Sequence, residues 1–278
     1  MFIIKYNKKL NYKTFTEKLS WLKDNDNLLL KTYCSDKINL RTYCKDQLGE
    51  NLCPKIYDIY NSPQEINIDT VSQHCMLKCN HGSGYNIILN NRKLSTDEYE
   101  LLNIWYNTDY STFFNELQYK NIKHKIFTEE LLNIICEYKV WCFHGIPKFT
   151  QCIFYDNLDL TLFRNTPTYK REWSRHDVLV DTKFNFIKHW QFNLGRPNYN
   201  ENKYLEKYYK KYCMTNQYNK ILEYSTKLSN NFKFVRVDFY RDANEQIYLS
   251  ELTFTPSAGQ MQFNNYNTNY QIGKLLHI

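Results

Sequence analysis

The chain of 278 residues carries a net charge of +7, and 42% of its residues are hydrophobic. This length accommodates one large domain, or two to three small lobes that share a core. The basic residues are scattered along the chain, whereas a nucleic-acid-binding protein usually gathers them in a patch or stripe. The mild positive charge suits an anionic small substrate such as a nucleotide.

Cysteine usage and hydropathy indicate the compartment. The nine cysteines are an odd number and form no Cys-x-x-Cys motif, so reduced intracellular thiols are the simplest interpretation. The apolar start of the chain ends before Lys8 and is too short for a signal peptide. No apolar run approaches the roughly 20 residues that a membrane-spanning helix needs. We therefore expect a soluble, cytoplasmic protein without a membrane span, and the sequence leaves its oligomeric state open.

In chain order, the hydrophobic pattern predicts two helices, two strands around a glycine turn, a third helix, three strands, a long irregular excursion, a helical region and two final strands. Their bounds are residues 14–24 and 37–48, then 74–78 and 85–89, 96–106, then 125–128, 137–143 and 149–155, 156–200, 201–229, and finally 235–240 and 246–254. Residues 58–72 lack a clear period and are expected to be irregular. Because strands and helices mix without regular βαβ alternation, the expected fold class is α+β.

The last two strands carry the most informative pattern. Side chains alternate faces along a strand, so Arg236 and Asp238 share one face of the first strand. In the second strand, Glu251 and Thr253 share a face with Leu249. The short polar connection predicts antiparallel pairing that brings the two carboxylates close together. A divalent cation such as Mg²⁺ would offset their repulsion, and the alternative is an ordinary ladder of surface salt bridges.

A glycine-containing loop follows the strand that ends at Lys78. Glycines let backbone N–H groups approach phosphates closely, and Lys78 can reach the same phosphates as a point charge. The loop is neither a Walker A motif nor a Rossmann fingerprint, and an ordinary hairpin turn is the alternative. A zinc site is disfavoured, because strand alternation points the nearby cysteines into the core. The four residues with zinc-ligand chemistry here are His74, Cys75, Cys79 and His81.

Together these segments resemble the ATP-grasp superfamily, and more closely its TupA-like branch of polysaccharide and teichuronopeptide biosynthesis proteins. The matching segments are residues 17–21, 36–37 with Arg41, 77–84, 126–129, 137–145, 235–238 and 251–259. The resemblance covers nearly the whole chain, and the order and number of the segments make it specific. It implies an α+β ATP-grasp fold that holds the nucleotide between two lobes. The implied division is an N-terminal lobe at 1–72, a central lobe with the glycine loop at 73–135, and a C-terminal lobe with the hairpin at 136–278.

The resemblance also implies roles for individual residues, with ATP and Mg²⁺ as cofactors. Nucleotide contacts fall on Lys37, Arg41, Lys78, His81, Gly82, Ser83, Gly84, Glu129, Glu130, Leu132 and Glu137. The catalytic positions are Arg236 and Lys139, and the metal ligands are Asp238, Glu251 and Thr253. Two departures matter, since Thr253 stands where the superfamily usually has asparagine, and Glu137 replaces the aspartate of the branch. The N-terminal lobe is short, so residues 156–200 are expected to contribute to the acceptor pocket.

Most ATP-grasp enzymes activate a carboxylate as an acylphosphate, which an amine then attacks as ADP is released. We expect such a ligase, with a nucleotide and a small-molecule or glycan acceptor as partners and no nucleic acid. A kinase that phosphorylates a hydroxyl group shares every ATP-binding residue and stays an open alternative. A glycosyltransferase would need an early Asp-x-Asp site, which the sequence lacks, and a non-catalytic module would not need the carboxylates. His81 and His144 are candidates for acid–base roles, against the alternative of structural histidines.

Overall fold

The computed structural model describes residues 12–155, 175–190, 192–193, 202–263 and 265–278. Three helices open this part of the chain, and they are α1 (Phe15–Asp24), α2 (Leu28–Ser35) and α3 (Asn39–Leu48). A capping box formed by Thr14 and Glu17 begins α1, and Gly49 ends α3 with a left-handed φ of 80°. The helices predicted at 14–24 and 37–48 are confirmed. Helix α2 escapes the prediction because its consecutive leucines hide a helical period.

The central sheet has four antiparallel strands in the order β1, β4, β2, β3. Their bounds, with those of the helix that follows β3, are β1 (Ile56–Tyr60), β2 (His74–Cys79), β3 (Asn86–Asn90), α4 (Thr96–Asn107) and β4 (Ile126–Glu129). Cys75, Leu77 and Cys79 on one face of β2 are fully buried, as the alternation predicts. Strand β1 corrects the expectation that residues 58–72 are irregular throughout. It belongs to the central sheet although it precedes the predicted lobe boundary at residue 72.

The larger sheet has five antiparallel strands in the order β10, β9, β5, β6, β7. The elements of this half are β5 (Ile134–Phe143), β6 (Ile146–Tyr155), β7 (Arg175–Asp181), β8 (Phe192–Asn193), α5 (Asn202–Cys213), α6 (Tyr218–Ser229), β9 (Phe234–Asp242), β10 (Ile247–Thr253), β11 (Gln262–Phe263) and α7 (Tyr266–Lys274). Strand β7 falls within the excursion expected to be irregular, and the predicted helical region divides into α5 and α6. Residues 156–174 of that excursion lie outside the described ranges. Within the described ranges, no helix is both long and apolar enough to cross a membrane.

Both faces of the larger sheet are covered, and this arrangement decides where a site can lie. Helices α3, α5 and α6 pack on one face, against residues such as Val140 and Val237. On the other face, α1 and α7 cover the end that carries Trp141 and Phe234. The continuation of that second face, toward Tyr240, meets residues of the central sheet across a cleft. Tyr240 of β9 lines this cleft, and Arg236 and Asp238 project from the same face of the strand, because all three alternate with the buried valines.

Candidate active site

The hairpin of β9 and β10 carries the polar side chains that the strand period predicts. The strands pair antiparallel, with Glu251 opposite Asp238 and Thr253 opposite Arg236. Paired residues project from the same face of a sheet, so these four side chains meet at the cleft. The predicted proximity of the two carboxylates is confirmed, and their pairing is direct.

A β-bulge sets this pairing. Leu249 lies opposite Phe239, but the next paired residue of β10 is Glu251, so Ser250 is the extra residue. Without the bulge, Glu251 would fall opposite Val237 and project into the core. The prediction that Leu249 shares a face with Glu251 is therefore wrong, because the bulge lets Leu249 point into the core while Glu251 points into the cleft.

Asp238 is the centre of a buried ion network. Its side chain is 2% exposed, and Arg236 donates to its two carboxylate oxygens at 2.7 and 2.6 Å. Lys139, which pairs with Asp238 from β5, donates to the same carboxylate at 2.9 Å. Burial opposes the charged carboxylate, but Arg236 and Lys139 outweigh it and hold the pKa of Asp238 below its usual value. The network thus keeps a carboxylate anion oriented between two cations.

Glu251 is the more accessible carboxylate of the pair, with 36% of its side chain exposed. Thr253 donates its hydroxyl to Glu251 at 2.9 Å, and Arg236 Nη2 lies 3.6 Å from the same carboxylate. Two carboxylates and a hydroxyl are the hard oxygen donors that Mg²⁺ accepts beside phosphate oxygens and water. Across the described residues, no three His, Cys, Asp or Glu side chains gather as a metal site. Asp238 and Glu251 fit a cation that takes two protein carboxylates and completes its shell from a substrate.

Across the cleft, Glu129 at the end of β4 holds two cations. Lys78 Nζ lies 2.5 Å from one of its carboxylate oxygens, and Arg41 Nη2 lies 2.5 Å from the other. The Arg41 guanidinium also lies over the ring of Phe127, at 5.2 Å from the ring centroid. Two cations and one carboxylate leave a net positive charge, which suits a phosphate group. The family resemblance assigns Glu129 to the adenine hinge, whereas its carboxylate here bonds the two candidate phosphate-binding cations.

The glycine loop lies beside these cations. Gly82 and Gly84 have φ values of 75° and 78°, which glycine adopts without strain. Lys37 Nζ donates to the carbonyl oxygen of Gly82 at 2.6 Å, and its backbone N–H donates to Asn80 at 2.9 Å. Ser83 at the tip of the loop is exposed. The base of the loop is therefore tied to the N-terminal helices, while its tip faces solvent.

The cleft between the two groups of charges is narrow. The space between its walls is about 250 Å³, part of it open to solvent, so a ligand of nucleotide size enters only if side chains move. Tyr240 is a lining residue that the sequence predictions omit, although it alternates with Arg236 and Asp238 along β9. Ser250 is another, and it is the extra residue of the bulge in β10. The lining residues are Lys37, Arg41, Cys53, Pro54, Lys78, Phe127, Glu129, Tyr240, Leu249 and Ser250.

The remaining predicted nucleotide contacts lie near the junction of the two sheets. Glu130 and Leu132 belong to the short segment between β4 and β5, and the Glu130 N–H donates to the carbonyl oxygen of Lys55 at 2.9 Å. Glu137 lies on β5, with its carboxylate 3.2 Å from Lys139 Nζ. Glu137 is therefore part of the ion network of the hairpin, whereas Glu130 and Leu132 lie in the segment that joins the two sheets.

The two histidines considered for chemistry lie elsewhere. His81 is fully buried, stacks on His124 with ring centroids 3.6 Å apart, and has Nε2 3.1 Å from the carbonyl oxygen of Trp105. Burial and the charge of His124 lower the pKa of His81 to about 4. Its imidazole supports the glycine loop from inside the lobe, in contrast to the predicted nucleotide contact. His144 lies in the turn after β5, where its Nε2 accepts the N–H of His277 at 2.9 Å.

Two antiparallel sheets enclose a glycine loop, three basic side chains and a pair of carboxylates. This arrangement defines the class of ATP-grasp proteins. The family model described as TupA-like ATPgrasp matches residues 17–277. The chain therefore belongs to the TupA-like ATP-grasp family, and the predicted α+β ATP-grasp fold is confirmed. A comparison with curated proteins gives no match.

Solved structures similar to the chain include two ligases and one synthetase at low identity. The ATP-grasp ligase PsnB in complex with a minimal precursor is 12% identical, with a TM-score of 0.41 over 81% of this chain and 53% of that chain. The L-amino acid ligase from Bacillus licheniformis is 11% identical, with a TM-score of 0.46 over 88% and 51%. The N5-carboxyaminoimidazole synthetase from Staphylococcus aureus is 11% identical, with a TM-score of 0.39 over 80% and 44%. The chain spans about half the length of these proteins, and its family assignment rests on the match over residues 17–277.

Proposed function

We propose that this protein is an ATP-dependent, Mg²⁺-requiring carboxylate–amine ligase of polysaccharide or glycopeptide biosynthesis. The observation that carries the proposal is a cleft lined by Lys37, Arg41 and Lys78, beside which one face of β9 and β10 carries the carboxylates of Asp238 and Glu251. Basic side chains and glycine N–H groups suit the phosphates of a nucleotide. Carboxylates opposite them suit the divalent cation that accompanies those phosphates. Membership in the TupA-like ATP-grasp family supports the same assignment.

The ion pairs that Glu129 forms with Lys78 and Arg41 open when the nucleotide binds. The phosphates of ATP compete with the Glu129 carboxylate for Lys78 and Arg41, which are each 2.5 Å from it. Because a ligand of nucleotide size enters only if side chains move, binding separates these ion pairs and widens the space between the sheets. The exposed tip of the glycine loop at Ser83 then covers the phosphates.

The hairpin supplies the other half of the site. Asp238, Glu251 and Thr253 would hold Mg²⁺, which neutralises phosphate charge when it is bound. Lys139 keeps the Asp238 carboxylate ionised and oriented through a bond of 2.9 Å. Arg236 stabilises negative charge that develops on the transferred phosphoryl group, since its guanidinium already projects into the cleft between Asp238 and Glu251.

The reaction proceeds in two displacements. A carboxylate oxygen of the donor substrate attacks the γ-phosphorus of ATP, the bond from that phosphorus to the β,γ-bridging oxygen breaks, and ADP leaves. An amine then attacks the acyl carbon, inorganic phosphate leaves with the carbon–oxygen bond pair, and the amine nitrogen releases a proton to water. The residues of the cleft position the reactants and offset charge, so no nucleophilic side chain is required.

The acceptor is proposed to be a glycan or glycopeptide, to which an amino acid is joined in the cytoplasm. Residues 156–200 are proposed to contribute to its pocket, and of these only 175–190 and 192–193 are described. Membership in the TupA-like family supports this substrate class, because the resemblance links that family to polysaccharide and teichuronopeptide biosynthesis.

The proposal is tested by measuring ADP release from Mg-ATP with an amino acid and an amine- or carboxylate-bearing glycan fragment, together and separately. A ligase releases ADP only when carboxylate and amine are both present, and mass spectrometry detects the amide product. ADP release with a hydroxyl-bearing glycan alone, together with a phosphorylated product, would identify a kinase and overturn the ligase assignment. Binding of a nucleotide-sugar without binding of ATP would identify a glycosyltransferase instead.

A further inference from the structure

We propose that Glu116 is a positioning residue for this reaction, which acts through Thr255 to hold the metal-binding end of β10 against the central lobe. The inference rests on the proposed function, because the strand that it positions carries Glu251 and Thr253.

A buried cluster, which we call the polar clamp, consists of the side chains of Glu116, Gln118 and Thr255. Each is only 5–6% exposed. Gln118 Nε2 donates to the Thr255 hydroxyl at 2.7 Å and to Glu116 Oε1 at 3.1 Å. The Thr255 hydroxyl donates in turn to the same oxygen of Glu116. The hydroxyl of Thr255 is thus fully satisfied by two partners that lie 137 and 139 residues away in the chain.

The clamp joins two parts of the protein that both contribute to the active site. Glu116 and Gln118 lie at the 3₁₀ turn Leu117–Tyr119, in the connection between α4 and β4 of the central sheet. Thr255 follows β10 directly, two residues after Thr253. A bond to Thr255 therefore holds the end of the strand that carries the candidate metal ligands.

The chemistry of Glu116 favours a role beyond packing. A buried carboxylate costs far more free energy than a buried amide unless it is fully compensated. Burial raises the pKa of Glu116, and the negative charge of Glu251 raises it further, against the charge of Lys23. The hydrogen bonds from Thr255 and Gln118 lower the pKa of Glu116, so the contacts between these three side chains offset part of the cost of burying its charge.

A second tie holds the segment just beyond the clamp. Lys23 of α1 donates to the carbonyl oxygens of Ala258 and Phe114 at 2.7 and 2.6 Å. Ser257 and Ala258 have left-handed φ values of 51° and 55°, a conformation that costs non-glycine residues of order 1 kcal/mol or more and persists only when the surroundings hold it. The end of β10 is thus held from α1 as well as from the central lobe, and it has little freedom to drift.

The clamp is tested with Thr255→Val, which removes the hydroxyl at nearly constant volume, and with Thr255→Ser, which restores it. Thr268→Val is the matched control, because Thr268 is 1% exposed and donates to Asn265, within its own helix cap and away from the cleft. We expect Thr255→Val to lower kcat for ADP release by roughly 10- to 100-fold, since small misplacements of reacting groups have effects of this size. The KM for Mg-ATP stays nearly unchanged, Thr255→Ser recovers most of kcat, and Thr268→Val leaves both constants unchanged.

Glu116→Ala tests the carboxylate itself. Its kcat should fall to the level of Thr255→Val, and the double variant should lose no more, because both changes break one coupled contact. The proposal would be overturned if KM rose by the same factor as kcat fell. It would also be overturned if Thr268→Val lost as much kcat as Thr255→Val.

Hydrogen–deuterium exchange tests whether the clamp holds the end of β10, and it does so independently of turnover. The backbone amides of residues 251–259 should exchange faster in Thr255→Val and Glu116→Ala than in the wild type, and not in Thr268→Val. Unchanged exchange there overturns the clamp even if the enzyme is an active ligase. Absence of ATP turnover in the wild type would instead overturn the proposed function, while the exchange measurement still reports on the contact.

Discussion

Glu251 lies directly opposite Asp238 across the β9–β10 ladder because one extra residue interrupts the register just before it. That residue, Ser250, turns the following side chains of β10 from the core to the cleft. The two carboxylates therefore meet beside the cleft that Lys37, Arg41 and Lys78 line. The active site depends on this local irregularity as much as on the identity of its residues.

Deletion of Ser250 should keep Mg²⁺-dependent ATP turnover, because it removes only the extra residue and a regular ladder then leaves Glu251 opposite Asp238. Ser250→Ala keeps the number of residues, and its turnover should stay within about threefold of the wild type, as is usual for small substitutions that keep the backbone. Circular dichroism accompanies the assay and checks that the shortened strand still folds. A folded deletion variant without Mg²⁺-dependent activity would show that the site needs the bulge itself and not only the pairing of the two carboxylates.

Asp238→Asn should reduce ATP turnover by about 100-fold or more, because the site loses a proposed metal-binding carboxylate and the anchor for Arg236. The substitution also leaves Arg236 and Lys139 as buried cations without their shared anion, which should lower the free energy of unfolding by about 3–5 kcal/mol. Urea denaturation and ADP release measure the two effects. Asp69→Asn is the control, since the exposed ion pair of Asp69 with Lys93 contributes little. Equal stability of both variants would argue against a buried ion network.

Lys78→Met should weaken Mg-ATP binding by roughly 10- to 100-fold, because a hydrogen bond to a charged group contributes roughly 1.5–3 kcal/mol. Arg41 remains paired with Glu129, so the fold should persist. Isothermal titration calorimetry measures the affinity, and Lys93→Met is the matched control because the Lys93 side chain is 64% exposed. If both variants bind Mg-ATP like the wild type, Lys78 does not contact the phosphates.

The buried His81 should make the protein sensitive to mild acid. Its pKa is lowered to about 4 in the folded state, first by burial and then by His124, whereas an unfolded histidine titrates near 6.5. The unfolded chain therefore binds the proton first as the pH falls, and stability that is fully present above about pH 6.5 is lost progressively toward pH 4. The total loss is roughly 3 kcal/mol.

Denaturant unfolding at pH 7, 6, 5 and 4 measures this loss. His81→Phe keeps an aromatic ring against His124 and should flatten the pH dependence, whereas His74→Gln should not, because His74 is exposed. Equal slopes in His81→Phe and the wild type would assign the acid sensitivity to other groups.

The sequence by itself determined the class of fold and most of the chemistry of the hairpin. Strand alternation is a local property, so the period of two in β9 was enough to place Arg236 and Asp238 on one face away from Val237. The capped ends of α1 and α3 were readable for the same reason, since caps depend on residues within a few positions of each other.

Only the tertiary structure decided how these parts meet. The bulge at Ser250 changes the spacing of the buried residues of β10 from two to three between Leu249 and Leu252, but only the pairing with β9 shows which residue is the extra one. The ion pair of Glu129 with Arg41, and the bond of Glu116 with Thr255, join residues 88 and 139 positions apart. Such contacts follow from how sheets and helices pack in space, and a local period carries no information about a partner so far along the chain.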